Sequence, residues 1–169
     1  MDAAARRAAI LRRLESADRP LSASLLGEEM GVSRQVVVGD VALLRTSGSP
    51  VLATNRGYLL ARPSNRPRRS FYVQHTREDI AAELAVIINE GGAVLDTSIE
   101  HRLYGQITVD LHLHSRAEVE AFLRRLENSS ALSELTNGWH THTVEANSEA
   151  ALDAIAAGLD RLGFLREAQ

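Results

Sequence analysis

Trp139-His140-Thr141-His142-Thr143-Val144 alternates residue by residue, with Trp and the two Thr on one side and the two His and Val on the other. A period of two reads as a β-strand. It sets both imidazoles on one face of a sheet, about 7 Å apart along the strand. Neutral imidazoles held side by side suit a divalent transition metal. An ordinary half-exposed strand offers the same pair, so the reading needs further residues. His75 and Glu83 supply them upstream, one at the start of a helix and the other two turns along it. Together they make a three-histidine, one-carboxylate set with no cysteine in it.

At 169 residues the chain holds one medium domain or two small ones. The absence of cysteine excludes disulfides and thiolate metal sites and points to a reducing cytoplasm. Met1 to Pro20 carries Arg6, Arg7, Arg12 and Arg13 with no unbroken apolar run, which argues against a signal peptide. No stretch approaches transmembrane length, so a membrane partner is not expected. The net charge of −3 conceals a split. Residues 1–70 hold twelve arginines against six acidic residues, a balance of +6, and residues 71–169 hold seven against sixteen, a balance of −9. All six histidines lie in the second part, and lysine is absent throughout. A basic first part calls for a polyanion partner, and an acidic, histidine-bearing second part for a cation. The expected division is a domain over 1–61, a linker over 62–70 and a domain over 71–169.

In the first domain, Ala3 to Ser16 reads as a helix with Ile10, Leu11 and Leu14 inward and arginines outside. Ser22 caps a second helix through Leu25, Leu26 and Met30, and Gly31 ends it. Ser33 caps a third helix running to about Thr46, where Val37, Val41 and Leu44 fall at i, i+4 and i+7 on one buried face. Two short helices joined by such a turn form a helix-turn-helix. Val51 to Ala61 follows as two strands around Asn55-Arg56-Gly57, a hairpin that serves as a wing.

The stretch Gly31-Val-Ser-Arg-Gln-Val-Val-Val-Gly-Asp-Val-Ala-Leu-Leu-Arg45 resembles the winged-helix module of many bacterial regulators and of the biotin-ligase repressor. In that module Ser-Arg-Gln opens the recognition helix. Periodicity agrees, because it turns Arg34, Gln35 and Val38 outward at the helix start. Arg and Gln read guanine and adenine edges, and an exposed Val suits a thymine methyl. Ser33, Arg34, Gln35 and Val38, with Asn55 and Arg56 in the wing, are the expected contacts to double-stranded operator DNA. Gly39 departs from a good helix, at a cost of about 1 kcal/mol, and permits a close approach to a DNA backbone.

Arg62-Pro-Ser-Asn-Arg-Pro-Arg-Arg-Ser70 reads as a stiff basic linker whose four arginines either follow phosphates or stand in solvent. Beyond it come a strand (Phe71 to His75), a helix capped by Thr76 with Asp79 as box partner, and two strands (Ala93 to Glu100, Gly105 to His114). A helix opened by Ser115 and Glu118, the strand at 139–144 and a last helix through Leu152, Ile155, Leu159 and Leu162 complete it. The order β-α-β-β-α-β-α packs most simply as an HPr-like antiparallel sheet covered by helices on one face, an open-faced sandwich in an α+β protein. Its uncovered face is a natural place for a site or a dimer contact.

His75-Thr-x-Glu-Asp-Ile with Glu83, Gly-Gly-x-Val-Leu-Asp96, Glu100-His101, Tyr104-Gly105-x-Ile and His140-x-His142-Thr-x-Glu145 together resemble the three-histidine (3H) domain. That domain behind a winged helix resembles the niacin-responsive repressors of bacterial NAD-biosynthesis and niacin-uptake genes. The resemblance covers nearly the whole chain. It implies a divalent metal on His75, Glu83, His140 and His142, nicotinic acid as co-repressor, and a non-enzymatic regulator. Glu83, three residues after Ile80 and four before Ile87, lies on the flank of the buried stripe, from which its carboxylate can turn toward the sheet. Asp110-Leu-His112-Leu-His114 is a second same-face histidine pair, and spacing alone leaves both pairs open; the resemblance favours 140 and 142. His101 and Trp139 are the expected effector contacts. An N/O-only set takes Ni, Zn, Fe or Mn. A homodimer is expected on a pseudo-palindromic operator, held by the second domain. The competing functions are a regulator for which the ion itself is the signal, and a metal-dependent hydrolase fused to a DNA-binding module. No separate nucleophile or general base in the sequence accompanies the ligand set to support the last.

Overall fold

Asp2, Ser22 and Ser33 each accept a hydrogen bond from the backbone N–H three residues on, at 2.8, 3.1 and 3.3 Å. These caps start α1 (Ala3–Glu15), α2 (Ala23–Met30) and α3 (Arg34–Thr46) in a computed structural model that describes residues 1–167. The chain divides into two units after Ser64. In the first, Ile10, Leu14, Leu26, Val37, Val41 and Leu44 form the buried core. Gly31, at φ +69, ends α2 in the left-handed conformation that a side chain resists. The hairpin pairs β1 (Val51–Thr54) with β2 (Gly57–Leu60).

Two expectations for this unit need correction. Arg6 and Arg7 do not simply face water: they bind Asp40, at 2.6 and 3.5 Å, and so tie α1 to α3. Asp40 is 4% exposed, and a carboxylate that deep needs such partners. Val38 is half-buried against the core because it flanks the stripe of Val37 and Val41, whereas Val36 is the valine that reaches solvent.

The second unit contains β3 (Arg68–Gln74), α4 (Ile80–Asn89), β4 (Ala93–His101), β5 (Gly105–Leu113), α5 (Arg116–Leu126), β6 (Trp139–Glu145) and α6 (Glu149–Arg161). Antiparallel pairing gives the order β5-β4-β6-β3. The three helices cover one face over Phe71, Val73, Leu84, Ile87, Leu113, Val144, Ile155 and Leu159. This is the α+β open-faced sandwich read from the element order. The Thr76 amide and hydroxyl donate to Asp79 at 3.4 and 3.0 Å, and a 3-10 turn leads from them into α4. Among the described residues no helix is long and apolar enough to cross a membrane.

β3 begins at Arg68, three residues before the expected start, and the arginines around it have partners within the chain. Arg66 and Arg68 bind Glu145 at 3.4 and 2.8 Å, and Arg69 binds Glu149 and Asp153 at 2.8 and 2.9 Å. Arg62 donates to the carbonyls of Glu15 and Ala17, at 3.1 and 2.8 Å, where α1 ends and its dipole favours a cation. The arginines of the stretch are thus held by partners within the chain. The uncovered face of the sheet is rich in hydroxyls, with Ser70, Ser98, Thr108, Thr141 and Thr143. Such a face can meet water, so it does not of itself require a dimer partner.

Candidate metal centre

β6 delivers its two histidines to the covered side of the sheet because Val144, in phase with them, belongs to the core. His75 enters just past the end of β3, and α4 carries Glu83 over the same spot. All four are buried: His75 is 7% exposed, Glu83 1%, His140 4% and His142 5%. The Glu83 carboxylate meets three Nε2 atoms. His75 lies 2.6 Å from Oε2, His140 3.1 Å from Oε2 and His142 2.7 Å from Oε1. His75, Glu83 and His140 offer ligand atoms within 4.8 Å of one another.

Each opposite ring nitrogen is committed to the main chain. His75 Nδ1 donates to Thr76 O at 2.8 Å, His140 Nδ1 to Gly138 O at 2.7 Å and His142 Nδ1 to Asp96 O at 2.9 Å. A carbonyl only accepts, so each Nδ1 carries a hydrogen and each neutral ring presents its Nε2 lone pair to Glu83. Three lone pairs and a carboxylate cannot converge without positive charge between them. Protons supply it in part: burial pushes the His75 and His142 imidazoles down, and the Glu83 hydrogen bonds and charge override it and raise both. Burial likewise pushes the Glu83 carboxyl up, and the imidazoles, His142 foremost, hold it well below the usual carboxylate range. Three imidazolium ions around one carboxylate leave two uncompensated charges in a dry site, which is costly. A divalent ion on four such donors leaves one, with the outer hydrogen bonds that metal-bound histidines ordinarily have. The residues fit a metal.

Sequence reasoning missed the outer partners. Gly138 is the most constrained: its φ is +86, and a Cβ there would fall 2.0 Å from the His75 carbonyl oxygen. Its own carbonyl accepts from both the His75 amide, at 3.4 Å, and the His140 ring. The dipeptide Asn137-Gly138, with Asn137 also at positive φ, was the available signal for a tight turn at this point.

The remaining expected residues lie elsewhere. Trp139 is on the opposite face of β6 from the histidines, against Tyr72 with ring centroids 5.3 Å apart. His101 sits four residues along β4 from Thr97, the partner of His142, roughly 13 Å away. Its Nδ1 accepts from the amides of Leu103 and Tyr104, at 3.2 and 3.3 Å, so it shapes the hairpin turn. His112 has φ +50, near the register shift of β4 between Val94 and Asp96, and His114 is exposed. In the first unit Ser33, Arg34 and Gln35 are exposed at the start of α3, and Asn55 and Arg56 are half-buried at the hairpin turn.

A helix-turn-helix with a hairpin, joined to an antiparallel domain that encloses an imidazole–carboxylate centre, defines a class of DNA-binding regulator rather than an enzyme. Residues 68–168 match the 3H domain family, and residues 6–59 match an HTH domain family. The chain is 39% identical over 160 residues to the probable transcription repressor NiaR of Thermotoga maritima, covering 94% of this chain and 91% of that protein. It is 34% identical over 166 residues to the transcription repressor NadR of Bacillus subtilis, covering 95% and 92%. The chain belongs to this family of transcription repressors built from an HTH domain and a 3H domain.

Proposed function

We propose that the chain represses NAD-biosynthesis or niacin-uptake genes in the cytoplasm. In this reading it binds operator DNA through α3, with nicotinic acid as co-repressor at or near a divalent metal held by His75, Glu83, His140 and His142. The observation that supports it most is the convergence of three tautomer-fixed Nε2 atoms on one buried carboxylate. Ni, Zn, Fe and Mn all accept such an N/O set. Three neutral imidazoles, one carboxylate and a divalent ion sum to +1, which the single negative charge of nicotinate balances. Nicotinamide lacks that charge and binds more weakly.

The enclosure of the four side chains supports a sensing role, because a ligand that reaches them displaces part of their cover. Phe164 is part of it, with its ring 4.8 Å from that of His75. β6 offers a route outward, since it also carries Glu145, which grips Arg66 and Arg68 just beyond the boundary of the DNA-binding unit. One winged helix buries too little surface for useful specificity, so the repressor works as a homodimer on a pseudo-palindromic operator.

The test titrates nicotinate into an operator-binding assay for the wild type and His140→Ala/His142→Ala, with metal content measured on protein without a His tag. Nicotinate tightens wild-type binding, and the double variant loses both ion and response. A metal-free variant that still responds at the wild-type concentration overturns the shared site. Repression that follows added metal without nicotinate makes the ion the signal instead.

A further inference from the structure

We propose that the open face of the 3H-domain sheet carries a second ligand pocket, across β6 from the metal centre, that takes a planar neutral or cationic heterocycle. The alternation that sends His140 and His142 to the covered side sends Trp139, Thr141 and Thr143 to the other. There, with His140 between them, they line a cavity of about 470 Å³, within the size range of small-molecule sites. One wall is the Trp139–Tyr72 pair, its rings tilted by 35° and both half-buried, so aromatic surface remains for a flat ligand. Its floor presents serine and threonine hydroxyls, which orient polar substituents.

Charge selects the ligand class. Asp96 and Glu100 line the cavity, and among its lining residues there is no arginine. Asp96 is fixed by the Thr143 amide, which donates to its Oδ1 at 3.1 Å. With the nearby Arg68 held by Glu145 at 2.8 Å, the two lining carboxylates disfavour nicotinate, phosphate and nucleic acid alike. Beside two electron-rich rings they attract a pyridinium-like cation or tolerate a neutral ring. The two faces of β6 thus have opposite preferences, for an anion through the metal on one side and for a cation on the other.

Trp139 is the only tryptophan in the chain, so intrinsic fluorescence reads this cavity directly. The experiment titrates full-length protein with the N-methylnicotinamide cation, with neutral nicotinamide and with nicotinate. It compares the wild type, Tyr72→Ala, Asp96→Asn/Glu100→Gln and the metal-site variant His75→Ala/Glu83→Gln, whose two residues do not line the cavity, each checked for folding by circular dichroism. Binding gives saturable quenching and a calorimetric heat; collision gives only a linear rise. The expected result is saturable binding of the cation at millimolar concentration or below, at least tenfold tighter than nicotinate. Tyr72→Ala and the charge-neutral variant weaken it at least tenfold, and the metal-site variant leaves it unchanged. Asn and Gln keep the shape and hydrogen bonding of the acids, so their effect isolates charge. Linear quenching alone, equal binding of nicotinate, or insensitivity to the neutralised carboxylates overturns the proposal. So does a tryptophan emission that shifts with protein concentration in the absence of ligand, which would assign the face to self-association. Loss of the nicotinate response in the metal-site variant bears on the repressor reading and leaves this pocket untouched.

Discussion

The chain contains two His-x-His strands with different fates. On β6, His140 and His142 point into the domain, each ring braced by a backbone carbonyl and opposed by Glu83. At the end of β5, His114 just past the strand is exposed, and His112 takes a left-handed backbone conformation, its ring 5.8 Å from that of His114. Spacing in sequence is the same. On β6 the pair is completed by a buried carboxylate carried by α4, together with main-chain acceptors at the right height. Whether a His-x-His pair can serve a metal is thus a property of the opposing surface as much as of its own strand.

The largest test of that contrast is metal content. His140→Ala/His142→Ala removes two of four donors and should cost about 10⁴-fold in affinity, given the roughly 10–16 kcal/mol that closed structural sites reach. His112→Ala/His114→Ala should leave stoichiometric metal, measured by elemental analysis of tag-free protein. Metal lost equally from both variants would erase the distinction.

Next comes the carboxylate. In metal-free protein Glu83→Gln leaves buried imidazolium without its counter-ion, at a cost of about 3–5 kcal/mol. His114→Ala should change stability by no more than about 0.5 kcal/mol. Urea titration of both variants compares them directly.

His142, with His75 beside it, and His112 also have opposite pH signatures. His75 and His142 are raised in the folded protein, so in the metal-free form their contribution is complete below their unfolded values and is lost as pH rises through the folded ones. Glu83 is depressed, and its contribution disappears only as pH falls through its folded value, below the usual carboxylate range. Metal must displace the same imidazole protons, so its affinity should rise from pH 6 to pH 8, about tenfold per pH unit for each proton displaced. Thermal unfolding with and without metal across that range should show the gap widening; a constant gap would mean that the rings carry no protons to displace.

The smallest effect belongs to His112. Burial, and then the nearby His114, push its imidazole down. Its folded value lies below the unfolded one, so it costs stability as pH falls through the unfolded value near 6.5. His112→Asn tolerates the positive φ and should raise stability at pH 5.5 by no more than about 0.5 kcal/mol, with no change at pH 8. Equal effects at both pH values would remove the titration argument.

Much of this was legible in the chain itself. Alternation in 139–144 gave the strand and the face of its histidines, the Ile80–Ile87 stripe placed Glu83 on a buried flank, and the serine caps marked helix starts. Less accessible features have physical reasons. The Arg68–Glu145 pair joins residues far apart in sequence, and no local pattern tells a gripped arginine from a solvated one. The burial of Asp40 depends on Arg6, which lies 34 residues away on α1. His112 takes a positive φ beside a register shift, which side-chain periodicity does not encode. The outer partners of the imidazoles are carbonyls, which every residue has.

That last point shapes the genetics of the site. An alanine scan deletes side chains, and Thr76 O, Asp96 O and Gly138 O survive it, so the bracing of all three rings is invisible to the method. Alleles that leave every ligand in place yet lose metal should therefore be scarce among truncations and appear as gains of bulk. Gly138, where even one added carbon collides with the His75 carbonyl, is the position where a screen of random substitutions should find them first.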